Sequence, residues 1–139
     1  MIYPFLVKTF QTTRFIVCAP DREIILRIGE LNPKLNELTA KYEAFSCAFV
    51  TAWNPGSVRL SELNNQERQT QLMSEVRRRG YPFLLGRGIG ESEEWPSEPS
   101  ILVTGIRRES AEDLGRLFEQ LAIVFAERGN PPELLLCQE

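Results

Sequence analysis

A chain of 139 residues, 42% hydrophobic and 25% charged, has the size and make-up of one ordinary globular domain. Its net charge of −3 argues against a non-specific nucleic-acid binder, which carries a basic face. The absence of histidine removes the usual neutral-pH base, the Ser-His and Cys-His nucleophile pairs, and most zinc or iron sites.

Tyr3, Leu6, Val7 and Phe10 recur at helical spacing and predict a first helix. Strands Phe15–Cys18 and Ile24–Ile28 bracket the turn Ala19-Pro20-Asp21-Arg22, a β-hairpin pattern. Asn32 before Pro33 starts a second helix, carried by Leu35, Leu38 and Tyr42 to about Glu43. The apolar run Phe45–Thr51 predicts an interior strand that ends in the turn-rich loop Trp53-Asn54-Pro55-Gly56-Ser57. Ser61 caps a long third helix reaching Arg79, and Gly80 closes it. The basic run Arg77-Arg78-Arg79 reads as cations complementing that helix end.

Tyr81–Leu85 predicts a strand, followed by a glycine- and acid-rich loop from Gly86 to Ser97, and Ile101–Ile106 is the strongest strand signal. Ser110 with Asp113 resembles a capping box opening a helix through Ala111, Leu114, Leu117 and Phe118. Strands Ala122–Ala126 and Glu133–Cys137 flank the turn Gly129-Asn130-Pro131-Pro132. The order α-ββ-α-β-α-β-β-α-β-β predicts a single α+β domain. Its one mixed sheet would have hairpins at both ends and about four covering helices.

The cysteines Cys18, Cys47 and Cys137 sit apart in apolar runs and read as reduced, shielded core thiols of a reducing compartment. No signal peptide opens the chain and no apolar run approaches membrane-spanning length, so the expected setting is cytoplasmic, without a membrane partner. Gly86-Arg87-Gly88-Ile89-Gly90 follows a strand but leads into Glu91, Glu93 and Glu94, which repel phosphate, and those acids fit no cation loop. No cofactor and no metal are expected.

The third helix carries an anomaly. Its core stripe Leu72, Met73, Val76 extends backward onto Gln69, Arg68 and Asn65, all polar. Either the helix start projects beyond the core, the commoner case, or those side chains face a wet pocket. Trp53-Asn54-Pro55 stands at a strand's carboxyl end, where sites often form, although a simple turn accounts for the same residues. Pro99 in Glu98-Pro99-Ser100 blocks strand pairing and gives Glu98 a definite direction, and Gln120 ends an apolar helix face.

The stretches Thr51-Ala52-Trp53-Asn54-Pro55, Ser61 through Asn65 to Arg68, Trp95 to Ser100, and Phe118-Glu119-Gln120 with Ala122-Ile123-Val124 resemble an uncharacterised bacterial family, domain of unknown function 3293. The resemblance runs from Phe45 onward and supplies no activity. It implies that Asn54, Asn65, Arg68, Glu98 and Gln120 are recurring polar positions. It also implies Glu-Asn where Asn64-Asn65 stands, and Gly where Glu119 stands.

Two functions are expected from these residues. The first is a small-ligand binding protein or enzyme whose site comprises Trp53, Asn54, Asn65, Arg68, Glu98 and Gln120. Arg68 would grip an anionic ligand's carboxylate or phosphate, and Glu98 is the only candidate catalytic base. The second is a protein-interaction module anchored by Trp95, with Arg68 and Glu98 as a structural pair.

Overall fold

The apolar runs of the sequence assemble into one sheet. The computed structural model describes residues 3–92 and 96–138. The expectations placed on Glu93, Glu94 and Trp95 therefore lie outside the described residues. In chain order come α1 (Tyr3–Thr12), β1 (Arg14–Cys18), β2 (Glu23–Leu26), α2 (Pro33–Lys41), β3 (Ser46–Val50) and α3 (Glu62–Arg78). β4 (Phe83–Ile89), β5 (Glu98–Thr104), α4 (Arg108–Leu117), β6 (Ala122–Glu127) and β7 (Glu133–Leu136) follow. A single 3-10 turn, Pro55–Ser57, lies between β3 and α3.

The strands stand in the order β2-β1-β4-β5-β3-β6-β7. The α+β class, with one sheet and four helices, is as expected. Every pairing is antiparallel, however, where a mixed sheet was expected. The reason lies in the crossovers. α3 joins β3 to β4 and α4 joins β5 to β6, each linking parallel strands that are not neighbours, because another strand fills the gap. The segment β3-α3-β4-β5-α4-β6 is thus two interleaved split βαβ units, the ferredoxin-like pattern.

The sheet is covered on both faces. Ala48, Val50, Ile101, Val103, Ile123 and Phe125 pack on one face against Leu72 and Val76 of α3 and Leu114 of α4. Phe15, Val17, Phe49, Leu102 and Val124 pack on the other against Leu35 and Leu38 of α2 and Phe10 of α1. Alternation along each strand divides the two cores. Three helices end alike. Gly80 after α3, Glu43 after α2 and Glu119 after α4 all adopt positive φ, and the residue after each donates back across the last turn to Val76, Thr39 and Gly115.

Several local expectations shift. The glycine run is not a loop: β4 continues through Gly86-Arg87-Gly88-Ile89, paired with β1 on one side and β5 on the other. Glycine is required there by closeness, since a Cβ on Gly86 would lie 2.5 Å from the Ile16 carbonyl oxygen and 2.9 Å from the Phe49 ring. β5 starts earlier than expected and includes Pro99, which pairs opposite Arg87; β3 has already left its other side, the last β3 pair being Val50 with Ile101. α4 starts before Ser110, with Arg107 as its cap and no side-chain cap bond. Arg108 is instead held by Glu133 at 2.7 Å and by the Phe125 ring.

All three cysteines are free thiols, but only Cys47 and Cys137 are buried. Burial pushes them up to about 12 and about 11 respectively. Cys18, expected to be shielded, is exposed, because it closes β1 at a position where the strand has left the core. Two of the three helix-end arginines are paired: Arg78 and Arg79 both donate to Glu75, whose carboxyl they lower to about 2.

Gly86→Ala tests the fit at the centre of the sheet. The added methyl has no room between Ile16 and Phe49, so a loss of about 1–3 kcal/mol in urea unfolding is expected. An unchanged unfolding midpoint would show that the strands have slack there.

Candidate functional site

Where β3 leaves the sheet after Val50, the next residues have no ladder partners and must find others. Ala52 is fully buried. Its N–H donates to Gln69 Oε1 at 2.9 Å, and its carbonyl accepts from Arg68 Nε at 3.0 Å. Two consecutive residues of α3 thus replace a missing strand. Asn54 follows in the left-handed region, φ 47°, which asparagine tolerates. It forms a reciprocal pair with Asn65: the Asn54 N–H donates to Asn65 Oδ1 at 2.8 Å, and Asn65 Nδ2 donates to Asn54 Oδ1 at 2.8 Å. Asn54 Oδ1 also accepts from the Leu60 N–H at 3.0 Å, tying the 3-10 turn to the start of α3.

The other flank of the loop is held by the end of α4. Arg68 NH2 donates to the Phe118 carbonyl at 2.6 Å, where a cation also meets the negative end of the helix dipole. Arg68 NH1 reaches Glu119 at 3.4 Å. Gln120 Nε2 donates to the Trp53 carbonyl at 3.3 Å, and the Gly56 N–H donates to the Glu119 carbonyl at 2.7 Å. Thr51 closes the last side by donating to the Pro99 carbonyl at 2.7 Å, beside Glu98.

A groove of about 610 Å³ opens between α3 and the beginning of β5. Trp53, Asn54, Asn65 and Glu98 line it together, which brings Glu98 beside the Asn54 loop across forty-four residues of chain. Asn54 Nδ2 donates to Glu98 Oε2 at 3.3 Å. Burial raises the Glu98 carboxyl above its ordinary value, while the Asn54 bond works against that shift. Arg68 and Gln120 do not line the groove. They stand behind the loop and shape it, and Arg68 makes no pair with Glu98: its partners are Ala52, Phe118 and Glu119.

The polar stripe of α3 does not project beyond the core, the commoner of the two expectations. Asn65 is 1% exposed and Gln69 6% exposed. Gln69 was visible as a polar residue on the apolar stripe but was not counted among the site residues. It lines the groove, and its Nε2, shielded from solvent, has no hydrogen-bond partner. Among the described residues no cluster of His, Cys, Asp or Glu has the make-up of a metal site, and no helix is long and apolar enough to cross a membrane.

A family model described as "Protein of unknown function (DUF3293)" matches residues 50–123, which hold the loop, the whole of α3, Glu98 and α4. No curated protein and no solved structure matches the chain.

Arg68→Ala removes two bonds to backbone carbonyls, one on fully buried Ala52 of the loop and one on Phe118 at the end of α4. Urea unfolding is expected to show a loss of about 2–4 kcal/mol. A loss near zero would mean that the loop holds itself. Glu98 provides a pH test. Because the fold raises its carboxyl, the protonated form is favoured, and this contribution is whole below the ordinary value of 4.5 and lost as pH rises through the raised one. Glu98→Gln keeps an acceptor for Asn54, so the variant should gain stability relative to the parent as pH rises from the ordinary value of 4.5 through the raised one. A difference that does not change with pH would contradict the burial of this carboxyl.

Proposed function

The chain belongs to this family of proteins of unknown function, which brings no activity with it, and from the groove itself we propose that the protein binds a small polar ligand there. The observation that carries the proposal is the Gln69 amide nitrogen. A buried donor without a partner costs about 1–3 kcal/mol, and native proteins keep few of them. Turning the amide over offers no relief, because the NH2 group would then face the Ala52 N–H that Oε1 now accepts from. Nε2 is closed to solvent as it stands, so an acceptor in the groove would meet the donor on a turn of the Gln69 side chain. Trp53, Leu60, Met73 and Pro99 supply the apolar contact such a site needs.

The expected anion grip by Arg68 finds no support, since its guanidinium is engaged behind the loop. Glu62 and Glu98 line the groove and would face a carboxylate or phosphate with like charge. Glu98, raised by burial, is the group suited to proton transfer should the bound molecule react. The alternative, an interaction module, loses the Arg68–Glu98 pair it relied on, while its anchor Trp95 lies outside the described residues and weighs on neither reading. Free thiols at all three cysteines suit a reducing, cytoplasmic setting.

The test is a fragment library screened against 15N-labelled protein. Binders that carry an acceptor are expected to move the Gln69 side-chain NH2 and Trp53 indole N–H resonances together. Binders that leave both unmoved, or a library without a single effect on them, would refute the groove as a site.

A further inference from the structure

We infer that the ligand carries a cationic nitrogen, as a protonated amine, an amidinium or a guanidinium does, and that this group sits on the Glu98 carboxylate. The inference rests on the groove being a ligand site and adds the charge that the site selects.

Glu98 is a half-buried carboxylate without a counter-ion. Glu23, Glu37, Glu75 and Glu133 each meet an arginine, but among the described residues no cation pairs with Glu98. Asn54 Nδ2 donates to its Oε2 at 3.3 Å, and its Oε1 accepts nothing among those residues. That oxygen is nevertheless within reach. Among the described residues Gln69 Nε2 is the one shielded side-chain atom without a partner, so Glu98 Oε1, also without one, is open to solvent. Glu98 lines the groove, and a carboxylate has room for several donors. Burial holds the carboxyl above its ordinary value, and a cation beside it would bring it down again.

The other charges of the groove agree. Its lining holds two carboxylates, Glu62 and Glu98, against one guanidinium, Arg59. Glu62 needs no ligand to explain it: it is exposed, accepts from Gln66 at 3.4 Å, and stands in the first turn of α3, where an acid suits the helix dipole. Arg59 is exposed and has an interaction of its own. Arg68 is engaged with Ala52 and Phe118 on the far side of the loop. Glu98 is therefore the charge that the fold leaves for something else to meet. A neutral ligand leaves it unmet, and an anion is repelled by it. A planar amidinium or guanidinium, with its fork of N–H donors, suits a carboxylate best.

Benzamidinium, benzamide and benzoate share one shape and differ in charge, and they serve as the probes. They test the charged end of the ligand alone and need not touch Gln69. The readout is the Asn54 side-chain NH2 resonance in the whole 15N-labelled chain, because that group donates to Glu98. Benzamidinium is expected to move it saturably in the millimolar range, as suits a molecule so small, and to bind about tenfold more tightly than benzamide. Benzoate should leave it unmoved. Glu98→Gln keeps an acceptor for Asn54 and removes the charge. In that variant, confirmed as folded by its spectrum, benzamidinium should lose its tenfold advantage. If the variant does not fold, the three probes on the unaltered chain decide. Benzamide or benzoate binding as tightly as benzamidinium would overturn the inference, as would an advantage that survives Glu98→Gln. So would silence from benzamidinium while library fragments still move Trp53 and Gln69, and the groove would then stand as a site that takes no cation. If no probe and no fragment moves any of these resonances, the groove reading fails and this inference with it.

Discussion

The buried peptide groups of Ala52 are the constraint on which this region turns. A strand that ends inside a structure leaves an N–H and a C=O away from water, and each must be met. Here a carboxamide meets one and a guanidinium the other, from adjacent positions of the same helix. That choice places two long polar side chains where leucines would otherwise sit, and it dictates how α3 lies against the end of β3. Asn65, one turn earlier, extends the arrangement to Asn54. The loop is consequently rigid at its root, and a rigid loop is what gives the groove a fixed wall.

The same network shows how scaffold and site share residues. Arg68 and Gln120 act wholly behind the loop, Asn54 and Asn65 serve both sides, and Glu98 and Gln69 line the groove, the Gln69 nitrogen closed to solvent. Glu119 illustrates the trade within the scaffold. At φ 59° it occupies a position where a side chain costs about 1–2 kcal/mol and where the family resemblance implies glycine. Glutamate accepts that strain and in return lends Arg68 a carboxylate.

Much of the element order was open to reading because periodicity and caps are local. Asn32 with Pro33, Ser61, and Gly80 stand where expected at helix ends. What misled was whatever depended on a distant neighbour. Gly86 and Gly88 look like a loop until β1 and Phe49 are placed against them. Ser110 looks like a cap until Glu133 and Phe125 draw Arg108 into the helix. Antiparallel pairing throughout depends on which strand fills the gap left by each crossover, and no single segment encodes that. In the site, Asn54, Asn65 and Glu98 could be grouped from polar residues in apolar surroundings. The division of labour between Arg68 and Gln69 could not, because it depends on which of two neighbouring helix positions faces forward.

Strand order carries a consequence for the birth of the chain. β3 lies between β5 and β6, and Cys47 is paired with Thr104 on one side and Ala126 on the other. β1 and β2 are able to zip as soon as both have been synthesised. β3 emerges early, is almost wholly apolar, and has no edge to join until the second half of the chain has left the ribosome. Such delayed non-local pairing slows folding and leaves sticky surface open in the interval. A strand enclosed on both sides in the finished sheet is the one kept waiting longest.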